Sequence, residues 1–121
     1  MNRHEFIEGI LIYSDCETIP GGGRLQEAFY RLSQEFPECF ESRRIYFDTN
    51  GPYPNSDEVS EAIQGMSYSG ILEPFRNNSY SISDRQRIVC KESFSGSASE
   101  KEKLSKSGQR MHEILEEYER R

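Results

Sequence analysis

Thiols and imidazoles are the side chains of this sequence best suited to metal binding or nucleophilic chemistry. The chain contains three cysteines and two histidines, namely Cys16, Cys39, Cys90, His4 and His112. Structural zinc sites take their ligands in closely spaced pairs, whereas these five residues are scattered along the chain. We therefore predict free thiols that are buried or half-buried, no metal site and no cofactor.

Carboxylates and glycines are the remaining candidates for chemistry. Asp15 with Glu17, and the acidic residues at 57, 58 and 61, are close in sequence, but no catalytic motif accompanies them. The three glycines at 21–23 lack the Lys-Ser/Thr ending of a phosphate-binding loop and the spacing of a dinucleotide loop. The glycines thus indicate a tight turn. Because no catalytic motif is found, we predict a protein that is not an enzyme.

Length and charge limit the classes of protein that the sequence fits. A chain of 121 residues suits one domain, and no apolar run is long enough to span a membrane. "FIEGILIY" lacks the basic start and cleavage site of a signal peptide, so we predict a cytoplasmic protein. The net charge of −6 arises within residues 1–96, because residues 97–121 carry six basic and six acidic side chains. Duplex binding draws its affinity from basic side chains, so this balance argues against it.

Hydrophobic periodicity predicts two helices and a strand in the first half of the chain. Residues 3–15 and 24–36 carry apolar stripes at helical spacing, and the second stripe stops before a proline. The segment between them, residues 16–23, is predicted to be a loop. Residues 43–48, "RRIYFD", are β-branched and aromatic, which is typical of a short strand.

A third helix is predicted at about residues 56–69, after the turn "GPYP". Asn55 or Ser56 provides an N-cap, and an apolar residue recurs at steps of three and four. Gly70 stands where a helix ends in the left-handed conformation, with an aliphatic residue after it.

The second half of the chain is predicted to hold a hairpin and further helices. "GILEP" and "YSISD" are short strands joined at Asn77-Asn78, and residues 85–94 and 99–120 are helical. This order of elements gives an α+β, mostly α fold: a winged helix-turn-helix with a C-terminal helical extension. We place the winged-helix domain at residues 1–92. Residues 93–121 are a Ser/Gly break and a C-terminal helix that packs on the domain or on a dimer partner. The stripe assigned to this packing is Leu104, Met111, Leu115 and Tyr118.

Three motifs carry a resemblance to a known family. "GGGRLQ" at 21–26, "GPYP" at 51–54 and "MSYSGIL" at 66–72 resemble the stand-alone winged-helix proteins of the YwgA type. The Panacea or SocA-like antitoxin domain is a more distant likeness. Glu27 stands where that family usually has lysine, and Pro54 where it has serine. The resemblance implies a small prokaryotic or phage-associated protein, often encoded near toxin–antitoxin or antiviral systems and commonly without an assigned activity.

The helix at 56–69 is the element that would read the major groove in a DNA-binding winged helix. Such helices read bases with Arg, Lys, Asn or Gln, but the outward positions here include three carboxylates and no basic residue. We therefore predict an adaptor or regulator that binds a protein partner by charge complementarity. It would be antitoxin-like, or an accessory or inhibitory component in bacterial–phage conflict. A merely solvated helix face is the plain alternative. The predicted protein-binding residues are Asp57, Glu58, Glu61, Gln64 and Tyr68.

A dimeric DNA-binding transcriptional regulator is the alternative function. Its nucleic-acid contacts would come from the predicted wing and the residues after it, and its dimer from the C-terminal helix. The residues assigned to these contacts are Arg76, Asn77, Asn78, Arg85 and Arg87, with Arg43 and Arg44 as additions.

Overall fold

A computed structural model describes residues 1–119 of the chain. It confirms the α+β class, with helix predominating. The elements are α1 (Arg3–Tyr13), β1 (Thr18–Pro20), α2 (Gly22–Glu35), α3 (Pro37–Glu41), α4 (Asp57–Tyr68), β2 (Glu73–Phe75), β3 (Ser79–Ser81), α5 (Asp84–Ser93) and α6 (Ala98–Glu119).

The strands form one small antiparallel sheet in the order β1-β3-β2. Tyr80 in the central strand lies opposite Ile19 on one side and Pro74 on the other. The predicted hairpin is confirmed: Asn77 and Asn78 join β2 to β3 with φ angles of 56° and 57°, which asparagine tolerates. Strand β1 falls in the segment that we predicted to be a loop, because three residues are too few to show an alternating pattern.

The strand predicted at residues 43–48 is wrong. Arg43 and Arg44 instead close turns after α3, donating backbone hydrogen bonds to Phe40 (3.2 Å) and Glu41 (3.0 Å). Only Asp48 of this segment pairs, in an isolated bridge to Asn55. Apolar side chains such as the buried Ile45 belong to the core without a strand around them. Helix α3 was also missed, although Pro37 at its first position is a favourable helix start.

Helix α1 lies at the centre of the core. It buries residues around most of its circumference, as expected of a helix covered by neighbours on several sides. Helices α4, α5 and α6 all contact it, and α6 packs along it most extensively. The core therefore includes side chains from both sides of the boundary that we predicted between residues 92 and 93.

The C-terminal helix packs on its own domain. Leu104, Met111, Leu115 and Tyr118 are all buried, so the predicted stripe faces the body of the chain. Helix α6 approaches α1 closely at Gly108, where an added Cβ would come within 2.6 Å of the Tyr13 backbone. Of the two predicted arrangements, the structure shows packing on the domain, and a second copy could reach this stripe only by displacing α6.

Two further predictions concern the cysteines and the capacity of the helices to span a membrane. The three cysteines are free, with Cys16 buried and the other two half-buried, as predicted. No helix within residues 1–119 is both long enough and apolar enough to cross a bilayer.

Candidate functional site

The start of α4 is fixed to α2 by a buried glutamine. Ser56, rather than Asn55, caps the helix, accepting a hydrogen bond from the Val59 backbone at 3.3 Å. The Gln26 side chain accepts from the Ser56 backbone N–H at 2.9 Å and donates to the Ser60 hydroxyl at 2.8 Å. Removing a buried partner of this kind costs about 1–3 kcal/mol. These hydrogen bonds therefore fix the position of the α4 N-terminus relative to α2.

The end of α4 is equally well defined. Gly70 adopts a φ of 83°, the left-handed conformation that we predicted for it. Ile71 and Leu72 then donate backbone hydrogen bonds to the Met66 carbonyl at 2.9 and 3.1 Å. The chain reverses here and enters β2, so both ends of α4 are anchored.

The outer side of α4 presents a continuous exposed stripe. The inner side buries Val59, Ala62 and Met66, and the outer residues follow at helical spacing on the opposite side. Tyr68 at the end of this stripe is 91% exposed. We call Asp57, Glu61, Gln64 and Tyr68 the acidic face; all four are exposed.

The carboxylates of the acidic face are not neutralised by any residue that the structure describes. Asp57 and Glu61 take part in no ion pair or side-chain hydrogen bond with any residue from 1 to 119. Asp57 opens the helix, where a negative charge is favoured by the helix dipole, but Glu61 lies a full turn further on. The position of Glu61 therefore contributes little to helix stability.

Glu58 differs from the other predicted residues of this surface. Its side chain is half-buried and accepts a hydrogen bond from the Tyr46 backbone N–H at 2.8 Å. This contact secures the segment before α4 and places Tyr46, which is 62% exposed, beside the start of the helix. An exposed aromatic side chain therefore stands near each end of the acidic face, an arrangement that was not predicted.

The β2–β3 hairpin and the start of α5 carry residues predicted for the DNA-binding alternative. Arg76, Asn77, Asn78 and Arg85 are exposed. The hairpin is held against the start of α2, because Gly21 donates a backbone hydrogen bond to the Asn78 carbonyl at 3.0 Å. A groove of about 690 Å³ lies beside this contact, and Arg24, which sequence reasoning did not select, lines it together with Arg76.

The structure corrects the assignment of Arg87 to the predicted nucleic-acid-binding residues. Only 8% of the residue is exposed, and its guanidinium donates hydrogen bonds to the carbonyls of Leu11 (3.1 Å), Ile12 and Cys16 (2.6 Å). These carbonyls belong to the end of α1 and the chain just after it, where a cation is favoured by the helix dipole. Arg87 is therefore a structural residue and cannot contact DNA.

The additional arginines divide in the same way. Arg43 is half-buried, with its guanidinium 4.3 Å from the centroid of the Phe6 ring. Arg44 is exposed, in a left-handed conformation with φ of 56°. Neither lies on the hairpin.

One cluster of side chains that could take part in chemistry was not predicted, because its members are about 100 positions apart in the sequence. Cys16 Sγ lies 3.3 Å from Nδ1 of His112, whose Nε2 lies within hydrogen-bonding distance of a Glu116 carboxylate oxygen. The same Nδ1 lies 2.7 Å from the Ser14 carbonyl, which can only accept, so Nδ1 must carry a hydrogen. It cannot also remove the thiol proton, and burial raises the pKa of Cys16. The arrangement ties α6 to the end of α1 and does not activate the thiol.

Metal binding finds no support in the geometry. No group of three or more His, Cys, Asp or Glu side chains within the described part of the chain is arranged to hold a metal ion.

Comparison with known proteins adds no assignment. No family model matches the chain, and neither the curated proteins nor the solved structures contain a significant match. The resemblance to winged-helix and antitoxin families therefore stays a prediction.

Proposed function

We propose that this chain is a winged-helix adaptor or regulator without enzymatic activity that binds a basic protein surface through the acidic face of α4. The order α1-β1-α2-α4-β2-β3 supports the winged-helix part of the proposal, with α3 as an insertion after α2. The sheet order β1-β3-β2 also supports it, because β1 closes the hairpin against the helices as in winged helix-turn-helix domains.

The observation that carries the proposal is the exposure of Asp57 and Glu61 on the helix that would face DNA. A carboxylate 4 Å from a phosphate is repelled by about 1 kcal/mol in water, and by more where water is excluded. A basic protein reverses the sign of the same interaction and gains both association rate and specificity. The exposed Tyr68 adds a large amphipathic contact of the kind enriched at protein interfaces.

The biological setting follows from the resemblance. Likeness to stand-alone winged-helix proteins and antitoxin domains supports a place in toxin–antitoxin or bacterial–phage conflict. The chain would serve there as an antitoxin-like subunit, or as an accessory or inhibitory component whose acidic face covers a basic surface of its partner.

Site-specific crosslinking in the native cells tests this proposal. A photoreactive amino acid at Gln64 should capture one discrete protein, whereas the same amino acid at Gln109, exposed on α6, should not. With the captured protein purified, Asp57→Lys/Glu61→Lys should weaken binding at least tenfold, since two favourable charge contacts become repulsive.

A control of equal charge completes that experiment. Glu38→Lys/Glu102→Lys changes the net charge by the same amount on α3 and α6 and should leave binding unchanged. Equal loss in both double variants would show a response to overall charge and would remove the acidic face from the account.

The DNA-binding alternative retains Arg76 and Arg85 but has lost Arg87. A mobility shift titrated with salt on the DNA upstream of the gene separates it from our proposal. The DNA-binding alternative predicts binding that falls steeply with salt, weakens in Arg76→Ala and strengthens in Asp57→Lys/Glu61→Lys. That result would favour DNA over a protein as the ligand of α4. Our proposal expects no such binding.

A further inference from the structure

The outer side of α5 carries an exposed stripe that differs from the acidic face of α4. Arg85, Ile88, Val89 and Glu92 lie at steps of three, one and three residues, so they share one side of the helix. Ile88 and Val89 are 58% and 50% exposed, although both are aliphatic. We call these four residues the α5 face.

The α5 face is self-complementary when it is turned end for end. Its midpoint falls between Ile88 and Val89, and Arg85 and Glu92 lie at equal distances on either side of that midpoint. Two such helices packed antiparallel would place the aliphatic side chains of both copies at the centre. Each Arg85 would then lie beside the Glu92 of the second copy, which gives two identical ion pairs. Residues related in this way define an isologous interface with two-fold symmetry.

The charged ends of the α5 face have no competing partners among the described residues. Neither Arg85 nor Glu92 forms an ion pair or a side-chain hydrogen bond with another residue between Met1 and Glu119. The opposite side of α5 is fixed to the domain, because Arg87 bonds the end of α1 and Lys91 pairs with Asp15 at 3.0 Å. The face is thus presented on a rigid helix, which lowers the entropic cost of association.

We propose that the α5 face is a homodimer contact in which a second copy of this chain packs antiparallel about a two-fold axis between Ile88 and Val89. It takes the place of the dimer seam predicted on α6 and does not depend on the partner of α4. Helix α5 has 10 residues, about 15 Å, so the contact area falls below the roughly 1,200 Å² of standard stable interfaces. We accordingly expect a weak dimer, one that forms in the range from about 10 µM to about 1 mM.

Sedimentation equilibrium of the purified chain from about 10 µM to about 1 mM tests the proposal. The wild-type chain should shift from monomer to dimer across this range, and salt should weaken the dimer because its ion pairs are exposed at the rim. Arg85→Glu and Glu92→Arg each place like charges together twice per dimer and should each weaken it by roughly tenfold. Replacing both aliphatic residues, in Ile88→Ser/Val89→Ser, should abolish it.

The combined variant Arg85→Glu/Glu92→Arg is the decisive one. It exchanges the charges, so an antiparallel pair regains both ion pairs and dimerisation should return to the wild-type level. The exchange also places the acid near the helix start and the base near its end, which favours folding, and circular dichroism verifies that each variant folds.

Three results would overturn the proposal: a wild-type chain that stays monomeric at all concentrations, a dimer that ignores the single charge reversals, or a combined variant that does not recover. The variant Asp57→Lys/Glu61→Lys should dimerise normally, so failure of the dimer and failure of the α4 partner are distinguishable.

Discussion

Helices α4 and α5 both carry charged side chains on several sides, but the structure uses those charges in opposite ways. Arg87 of α5 points inward and satisfies carbonyls at the end of α1. Asp57 and Glu61 of α4 point outward and contact no oppositely charged side chain within residues 1–119. A buried charge with several hydrogen bonds serves the fold, whereas an exposed charge that lacks a partner within the described chain is available for an interaction with another molecule.

Arg87→Met should have the largest effect on stability. Methionine retains much of the aliphatic stem but removes every hydrogen bond to the buried carbonyls, so we expect a loss of about 3 kcal/mol in the free energy of unfolding. Urea denaturation measures it. Arg85→Met, two residues earlier and on the exposed side of α5, should change stability by less than about 0.5 kcal/mol. Equal effects at the two positions would contradict the distinction between the two kinds of charge.

Gly108→Ala should have the next largest effect. The new methyl group would meet the Tyr13 backbone of α1, which cannot move aside as a flexible side chain would, so we expect about 2 kcal/mol of destabilisation. Gly65→Ala on the outer side of α4 is the matched control, because no atom lies within 4 Å of its added Cβ. That substitution should stabilise the chain by about 0.5 kcal/mol through the greater helix propensity of alanine.

Such contrasts mark how far the sequence could predict this molecule. Periodicity located α1, α2, α4 and α6 to within two residues at each end, because their apolar stripes reflect the faces they bury. The same periodicity cannot tell which polar residue turns inward, and Arg87 looks no different from Arg85 in the sequence. Its burial depends on the end of α1, which lies more than 70 residues earlier in the chain.

The sheet and the surfaces between elements were harder to predict for a related reason. Strand β1 is defined by pairing with β3, about 60 residues away, rather than by a pattern of its own. Residues 43–48 have the composition of a strand but lack a neighbouring strand, so composition misled. The contact of Cys16 with His112 spans 96 residues and has no local signal. The acidic face was predictable because it needs only helical spacing and the absence of basic residues.

Gln26→Ala tests whether the anchoring of α4 matters to the acidic face. Loss of the buried side chain leaves the Ser56 backbone N–H without its acceptor, so we expect about 1–2 kcal/mol of destabilisation by denaturation. Gln64→Ala on the exposed side of the same helix should change stability by less than about 0.5 kcal/mol. Because Gln26 does not belong to the face, weaker partner binding in Gln26→Ala would show that the partner requires α4 in this position.

The smallest effect on stability should come from the acidic face itself, and this makes it the sharpest test of the comparison. Glu61→Gln removes a charge that has no partner within residues 1–119, so the free energy of unfolding should change by less than about 0.5 kcal/mol. Asp57→Asn should cost slightly more, up to about 1 kcal/mol, because its charge interacts with the dipole at the helix start. Partner affinity, by contrast, should be sensitive to both substitutions. Each should weaken the complex although neither unfolds the chain. If Glu61→Gln instead destabilises the isolated chain as strongly as Arg87→Met, then its carboxylate serves the fold, and the reason for expecting a basic partner at α4 is removed.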